Sequence, residues 1–223
     1  MPIFFQQDID DNTKLAVWKI EEEESFFLSK VPLQRDISHQ HKRLQHLAGR
    51  YLLQYLFPGF PLELIRIADT FRPFLEDDAY HFSISHCGNY AAVIVSRNRR
   101  VGVDIEIPDA KVARIKNKFL HQHELRGLDL LNHKLIISNK KEDTYESYAA
   151  ELRSLTLLWS SKEAIFKWWS FGKVDFRENI RLLTGLVGME GSIEAQFISE
   201  SATHLTVNYK IFEQICLAWV ITE

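Results

Sequence analysis

The segment Val101-Gly102-Val103-Asp104-Ile105-Glu106-Ile107 alternates without a break between apolar residues and Gly, Asp or Glu. A helix has no such period; a strand does, because successive side chains leave opposite faces. Val101, Val103, Ile105 and Ile107 therefore share one face, and Gly102, Asp104 and Glu106 share the other. The rise of a strand sets the two carboxylates roughly 7 Å apart at the Cα level. Side by side they repel and invite a cation, and Mg2+ takes carboxylate oxygens from one or two residues together with substrate phosphates. A one-sided sheet with a wet polar face gives the same alternation. Taken alone, the segment fits that plainer reading better, and Gly102 shifts the balance only slightly by clearing space beside the acidic face.

The segments around this strand set the fold class. Residues 14–20 read as an early strand, and Glu21-Glu22-Glu23-Glu24 opens a short helix, where carboxylates suit the positive end of the dipole. Between 37 and 57 the residues Ile37, Leu44, Leu47, Ala48, Tyr51, Leu52 and Tyr55 form one helical stripe, with Asp36 or Ser38 as cap and Pro58-Gly59 as stop. Residues 81–86 and 90–96 are strand-like, and the polar turn Arg97-Asn98-Arg99-Arg100 makes 90–96 and 101–107 an expected antiparallel hairpin. Helices are expected over 111–134 and 151–170, the second closing near Gly172, with a polar loop at 139–147 between them. Apolar runs at 191–198, 204–211 and 215–221 read as strands. Strands and helices in this order predict an α+β fold and not an alternating βαβ one. The two halves have a loosely similar order of elements, with a boundary near 97–101.

Composition excludes several classes. Lys and Arg (27) nearly balance Asp and Glu (30), giving a net charge of -3, so a strongly basic nucleic-acid binder is excluded while a local basic pocket is not. Cys87 and Cys216 are too few for a disulfide framework. The apolar run at 91–95 falls far short of the roughly 20 residues of a membrane span. The first residues carry no basic segment followed by a long apolar stretch. A cytoplasmic protein without membrane segments is expected, and 223 residues allow one domain or two small ones.

Three further segments carry candidate chemistry. On a helix, Leu155, Trp159, Glu163 and Phe166 share a face, so Glu163 sits in an apolar stripe, where a lone carboxylate is costly unless it is paired or binds a metal. Lys167 follows four residues later in the favourable Glu-to-Lys order, as an ordinary surface pair also would. In Phe82-Ser83-Ile84-Ser85-His86, the histidine stands at a strand end, a common place for functional side chains, although a lone histidine is more often structural. Ser85 and His86 point to opposite faces and no G-x-S-x-G elbow occurs, which argues against a nucleophilic serine. Arg43 and Arg50 lie seven apart on one helix face and Arg72 precedes Pro73; exposed cations are their default reading. His121 and His123 are two apart on an expected helix and do not face one another, which excludes a paired metal site.

In this order the blocks Lys42-Arg43 to Ala48-Gly49-Arg50-Tyr51-Leu52-Leu53, Arg72-Pro73 with Phe82-Ser83-Ile84-Ser85-His86, Val101-Gly102-Val103-Asp104-Ile105-Glu106, and Trp159-Ser160-Ser161-Lys162-Glu163-Ala164-Ile165-Phe166-Lys167 resemble the 4′-phosphopantetheinyl transferases. The likeness is to their long, two-lobed type that activates surfactin synthetase and similar carriers. It covers about residues 15–175, and the third and fourth blocks are its specific part. It implies two similar α+β lobes related by a pseudo-two-fold axis, residues 1–100 and 101–223, with the active site between them. It implies transfer of the phosphopantetheine arm of coenzyme A to a serine of an apo acyl or peptidyl carrier protein, the holo-carrier synthase reaction, releasing 3′,5′-ADP. Matching positions make Asp104, Glu106 and Glu163 the Mg2+ carboxylates, and Asp104, Glu163 and Lys167 the catalytic set. Coenzyme A would be held by Arg43, Arg72, Ser85, His86, Lys162 and Lys167.

This chain departs from the family pattern at Arg72, where Lys is frequent, at Cys87, where a hydroxyl residue is common, and at Ala164, where Ser is common. Glu124 falls near a family glutamate. No nucleic acid or membrane partner is implied, and a monomer is expected because two lobes in one chain complete the site. A catalytically idle carrier-binding or coenzyme-A-binding relative and a Mg2+-dependent phosphohydrolase are the competing readings.

Overall fold

The computed structural model describes residues 3–33, 36–127, 144–183 and 188–223. The chain divides into two compact units. The first comprises residues 1–105, 167–172 and 221–223; the second comprises 106–166 and 173–220. The sequence boundary was expected after residue 100; the compact units divide after Ile105, and the first reclaims two later segments.

In the first unit, β1 (Ile3–Asp8), β2 (Thr13–Lys19), β5 (His81–Cys87) and β6 (Tyr90–Ser96) form an antiparallel sheet in the order β1-β2-β6-β5. Between them lie α1 (Glu24–Leu28), α2 (Gln40–Leu56), a 3-10 turn (Leu62–Leu64) and the two-residue strands β3 (Arg66–Ile67) and β4 (Pro73–Phe74). Every residue of β6 is buried, which is why 91–95 reads as an unbroken apolar run instead of an alternation. Register pairs Ala16 with Val93 and Trp18 with Ala91, and these residues join Leu47, Leu52 and Leu53 of α2 in one core. Trp18 meets Tyr51 edge-on at 5.1 Å and Phe27 of α1 at 6.4 Å, arrangements favoured by the ring quadrupole. At Gly49 an added Cβ would lie 2.9 Å from Ile84 Cγ2, so the bare backbone of α2 is what lets the helix seat this close to β5.

The expected hairpin between 90–96 and 101–107 does not form. Both edges of β6 are taken, by β2 and β5, and β7 (Arg100–Glu106) lies outside this sheet. A strand buried on both faces belongs in the middle of a sheet, and short connections alone do not decide which neighbour it takes.

In the second unit, α3 (Ala110–Phe119) is capped by Asp109, whose side chain accepts the Lys111 N–H at 2.7 Å. Leu120 is extended, residues 122–127 are again helical, and the rest of the helix expected over 111–134 lies outside the described residues. α4 (Thr144–Trp169) begins earlier than expected, inside the polar stretch read as a loop; residues 139–143 of that stretch lie outside the described residues. β8 (Ile180–Leu182), β9 (Glu190–Ile198), β10 (Ala202–Ile211) and β11 (Cys216–Thr222) stand side by side in the order β11-β10-β9-β8. β9 and β10 bury alternate residues, Ile193, Ala195 and Phe197 on one and Leu205, Val207 and Tyr209 on the other, as expected of a sheet with one wet face. The fold is thus α+β. Among the described residues no helix is long and apolar enough to cross a membrane.

Candidate active site

The hydroxyls of β5 point at β7. Ser83 Oγ accepts the Val103 N–H at 3.1 Å, and Ser85 Oγ donates to Asp104 Oδ1 at 2.7 Å. The period of two that puts Ser83 and Ser85 on one face makes both contacts possible. Asp104 is only 2 % exposed, so the wet polar face that its strand pattern also allowed is not what forms. A carboxylate this deep needs a cation and hydrogen bonds to repay its lost hydration. Lys167 supplies them: its Nζ lies 2.6 Å from Asp104 Oδ1 and 2.8 Å from Ser85 Oγ. Three residues from separate stretches of the chain thus form a closed triangle of short, charge-assisted contacts. Lys167 keeps 26 % of its side-chain surface open, against 3 % for Asp104, so the triangle has a wet side from which a ligand can approach.

The other expected site residues sort differently. His86 is exposed at the end of β5. Arg72 is half-buried; burial first, and then the positive charge of Arg100, push its guanidinium below the usual arginine range, with Asp78 opposing. Glu106, at the end of β7, and Glu163, on α4, are half-buried. Trp159 and Phe166, expected on the Glu163 face, are joined through Phe176, at 5.4 and 5.5 Å.

Arg43 and Lys162 hold protein groups. Arg43 donates to both carboxylate oxygens of Glu24, at 2.6 and 2.9 Å, and to the Ile37 carbonyl at 2.8 Å. Lys162 is wholly buried, donating to Glu124 Oε2 (2.8 Å) and to the carbonyls of Phe119 (2.8 Å), Phe176 (2.9 Å) and Ile180 (2.7 Å). Burial pushes this ammonium below the usual lysine range, and Glu124 opposes that. Glu124 also accepts the N–H groups of His121 (2.6 Å) and Leu182 (2.8 Å). The structure places Arg43 and Lys162 in ties between protein groups, and it makes Glu124, which the sequence set near a family glutamate, the hub of the second.

Among the described residues no three His, Cys, Asp or Glu side chains are gathered as a metal-holding group. The donor chemistry nonetheless suits Mg2+: Asp104, Glu106 and Glu163 offer only hard carboxylate oxygens, two of them from same-face positions of one strand. Sequence reasoning missed Arg100, which it used only as a turn residue; the lone signal was a fourth polar residue standing immediately before the alternating strand.

The hydroxyl strand β5, a buried carboxylate on β7 and a helix-borne lysine thus meet in one polar cluster. Residues 100–204, which carry Asp104, Glu106, Glu163 and Lys167, match the family model of the 4′-phosphopantetheinyl transferase superfamily. Through this segment the chain is similar to that superfamily. It is 28% identical over 167 residues to enterobactin synthase component D of Salmonella austin, covering 75% of this chain and 59% of the relative. It is 32% identical over 149 residues to a Haemophilus influenzae protein provisionally named a 4′-phosphopantetheinyl transferase, covering 64% of this chain and 56% of the relative. The matched part of the chain thus spans little more than half the length of these curated relatives.

Proposed function

We propose that the protein transfers the 4′-phosphopantetheine group of coenzyme A to a serine hydroxyl of an apo acyl or peptidyl carrier protein, releasing 3′,5′-ADP. The observation that carries this reading is the triangle of Ser85, Asp104 and Lys167, which sets an ammonium beside a buried carboxylate in the segment matching the superfamily. The match to the superfamily's model and the likeness to enterobactin synthase component D support the substrate pair. The holo-carrier synthase activity is the specific form proposed.

In this reading Lys167 donates to a phosphate oxygen and carries a proton to the departing 3′,5′-ADP. Asp104 fixes the ammonium through a short ionic hydrogen bond, and Ser85 sets its direction. Glu163 takes the proton from the attacking carrier serine. Arg72, half-buried, and the exposed His86 hold the phosphates of coenzyme A. Asp104, Glu106 and Glu163 are the residues that would hold Mg2+, which supplies charge neutralisation at the pyrophosphate when bound. Arg43 and Lys162 already donate to protein oxygens, so the reading gives the phosphate contacts to Arg72 and His86 first.

The test uses coenzyme A, Mg2+ and a panel of apo carriers. Asp104→Asn keeps the shape and removes the charge, and carrier modification is expected to fall by about a hundredfold or more. Chelation is expected to stop transfer and added Mg2+ to restore it. A fully active Asp104→Asn variant refutes the site.

A further inference from the structure

We infer that Arg100 is a positioning residue that holds Lys167 in register with Asp104; the inference rests on the transferase reading of this site. Arg100 opens β7. Its Nε donates to the Trp168 carbonyl at 2.7 Å, and its Nη2 donates to the Trp169 carbonyl. The flat guanidinium also lies over three rings, those of Trp168 (4.7 Å), Phe171 (5.1 Å) and Trp169 (5.6 Å).

The last carbonyls of a helix have no partner within it, and that end carries the negative pole of the dipole. A planar fork of donors fixes direction as well as attraction there, which a lysine ammonium does not. The two latched carbonyls are those next after Lys167. On the strand, Arg100, Gly102 and Asp104 share one face by their period of two. Gly102 has no side chain to intervene between the other two. The same strand face therefore grips the end of α4 with Arg100 and receives Lys167 with Asp104.

The exit from the helix bears this out. Ser170 has φ +77, a left-handed position where glycine is usual. Its Oγ returns to the carbonyls of Lys167 (2.8 Å) and Trp168 (2.9 Å), and its own carbonyl accepts from Thr70 Oγ1 at 3.3 Å. A strained residue and three added hydrogen bonds at one helix end mark a terminus held in place on several sides.

The test compares Arg100→Gln and Arg100→Lys with the full wild-type chain, by kinetics and by acetylation of lysines with acetic anhydride. In Arg100→Gln, kcat is expected to fall about tenfold or more, with KM for coenzyme A within about twofold of wild type. Arg100→Lys restores part of kcat. Acetylation of Lys167 is expected to rise about tenfold as it leaves Asp104, while buried Lys162 stays protected. An unchanged kcat overturns the inference, and so does a raised KM at unchanged kcat, which would make Arg100 a substrate contact. Unchanged acetylation of Lys167, or loss of protection at Lys162 as well, overturns it whatever the kinetics show. Labelling needs no turnover, so absence of transfer in the wild type defeats the transferase reading alone.

Discussion

The ammonium of Lys162 sits 2.8 Å from Glu124 Oε2 with 0 % and 4 % of the two side chains exposed. Removing one partner of such a pair strands the other charge in a medium that cannot solvate it. Lys162→Met is expected to cost about 3–5 kcal/mol of stability, read by urea unfolding. Glu124→Gln added to that variant should recover part of the loss, because it removes the stranded charge and keeps an acceptor for the Leu182 N–H. No recovery would show that the hydrogen bonds and not the charge hold this region. At this scale the sequence was legible where a pattern pinned a residue to a face. Ser85, Asp104 and Lys167 each occupied such a position, and the structure brings the three together. Lys162 and Glu163 are neighbours on a helix and point about 100° apart, and nothing in the spacing told that Lys162 would face a buried carboxylate.

Between elements, the tie of α1 to α2 runs through Glu24 and Arg43, nineteen residues apart. The hydrogen bond from Arg43 holds the Glu24 carboxyl below its ordinary 4.5, with burial opposing it. A depressed carboxylate contributes stability above its unfolded value and loses it as pH falls through the folded one. Arg43→Ala is therefore expected to melt below the wild type near neutral pH, and the gap should close as pH drops below 4.5. A gap that persists in acid would locate the loss in packing instead.

The helices and strands themselves were largely legible. α2, β2, β5 and the last three strands lie within a few residues of their expected places, because each carried a clean period and a stop signal. β1 and β8 were not legible. Their few residues offer too little alternation to stand out from a loop. The β6–β7 hairpin failed for a different reason. Local turn residues suggested it, while pairing was decided by two flanking strands from elsewhere in the chain. Gly49 is similar: its need comes from Ile84, thirty-five positions away, and no local pattern announces such an approach.

For the whole molecule, the chain order of elements gave α+β correctly but could only cut the chain once. The compact units instead interleave, since residues 167–172 and 221–223 count with the first hundred residues. That return carries Lys167 to Asp104, so the catalytic proposal depends on a chain path that no linear boundary expresses. The near-neutral charge of -3 conceals the same arrangement. Acidic residues at 104, 106 and 163 offset the cations at 72, 100 and 167, so the average says little about the local field. The central claim is that this field serves one group transfer, and the intact mass of a carrier protein tests it most directly. Apo carrier incubated with the full chain, coenzyme A and Mg2+ should gain one phosphopantetheine group and release one equivalent of 3′,5′-ADP, while a carrier whose acceptor serine is replaced by alanine gains nothing. Unchanged mass across acyl and peptidyl carriers, or free phosphopantetheine released without any carrier, would contradict it.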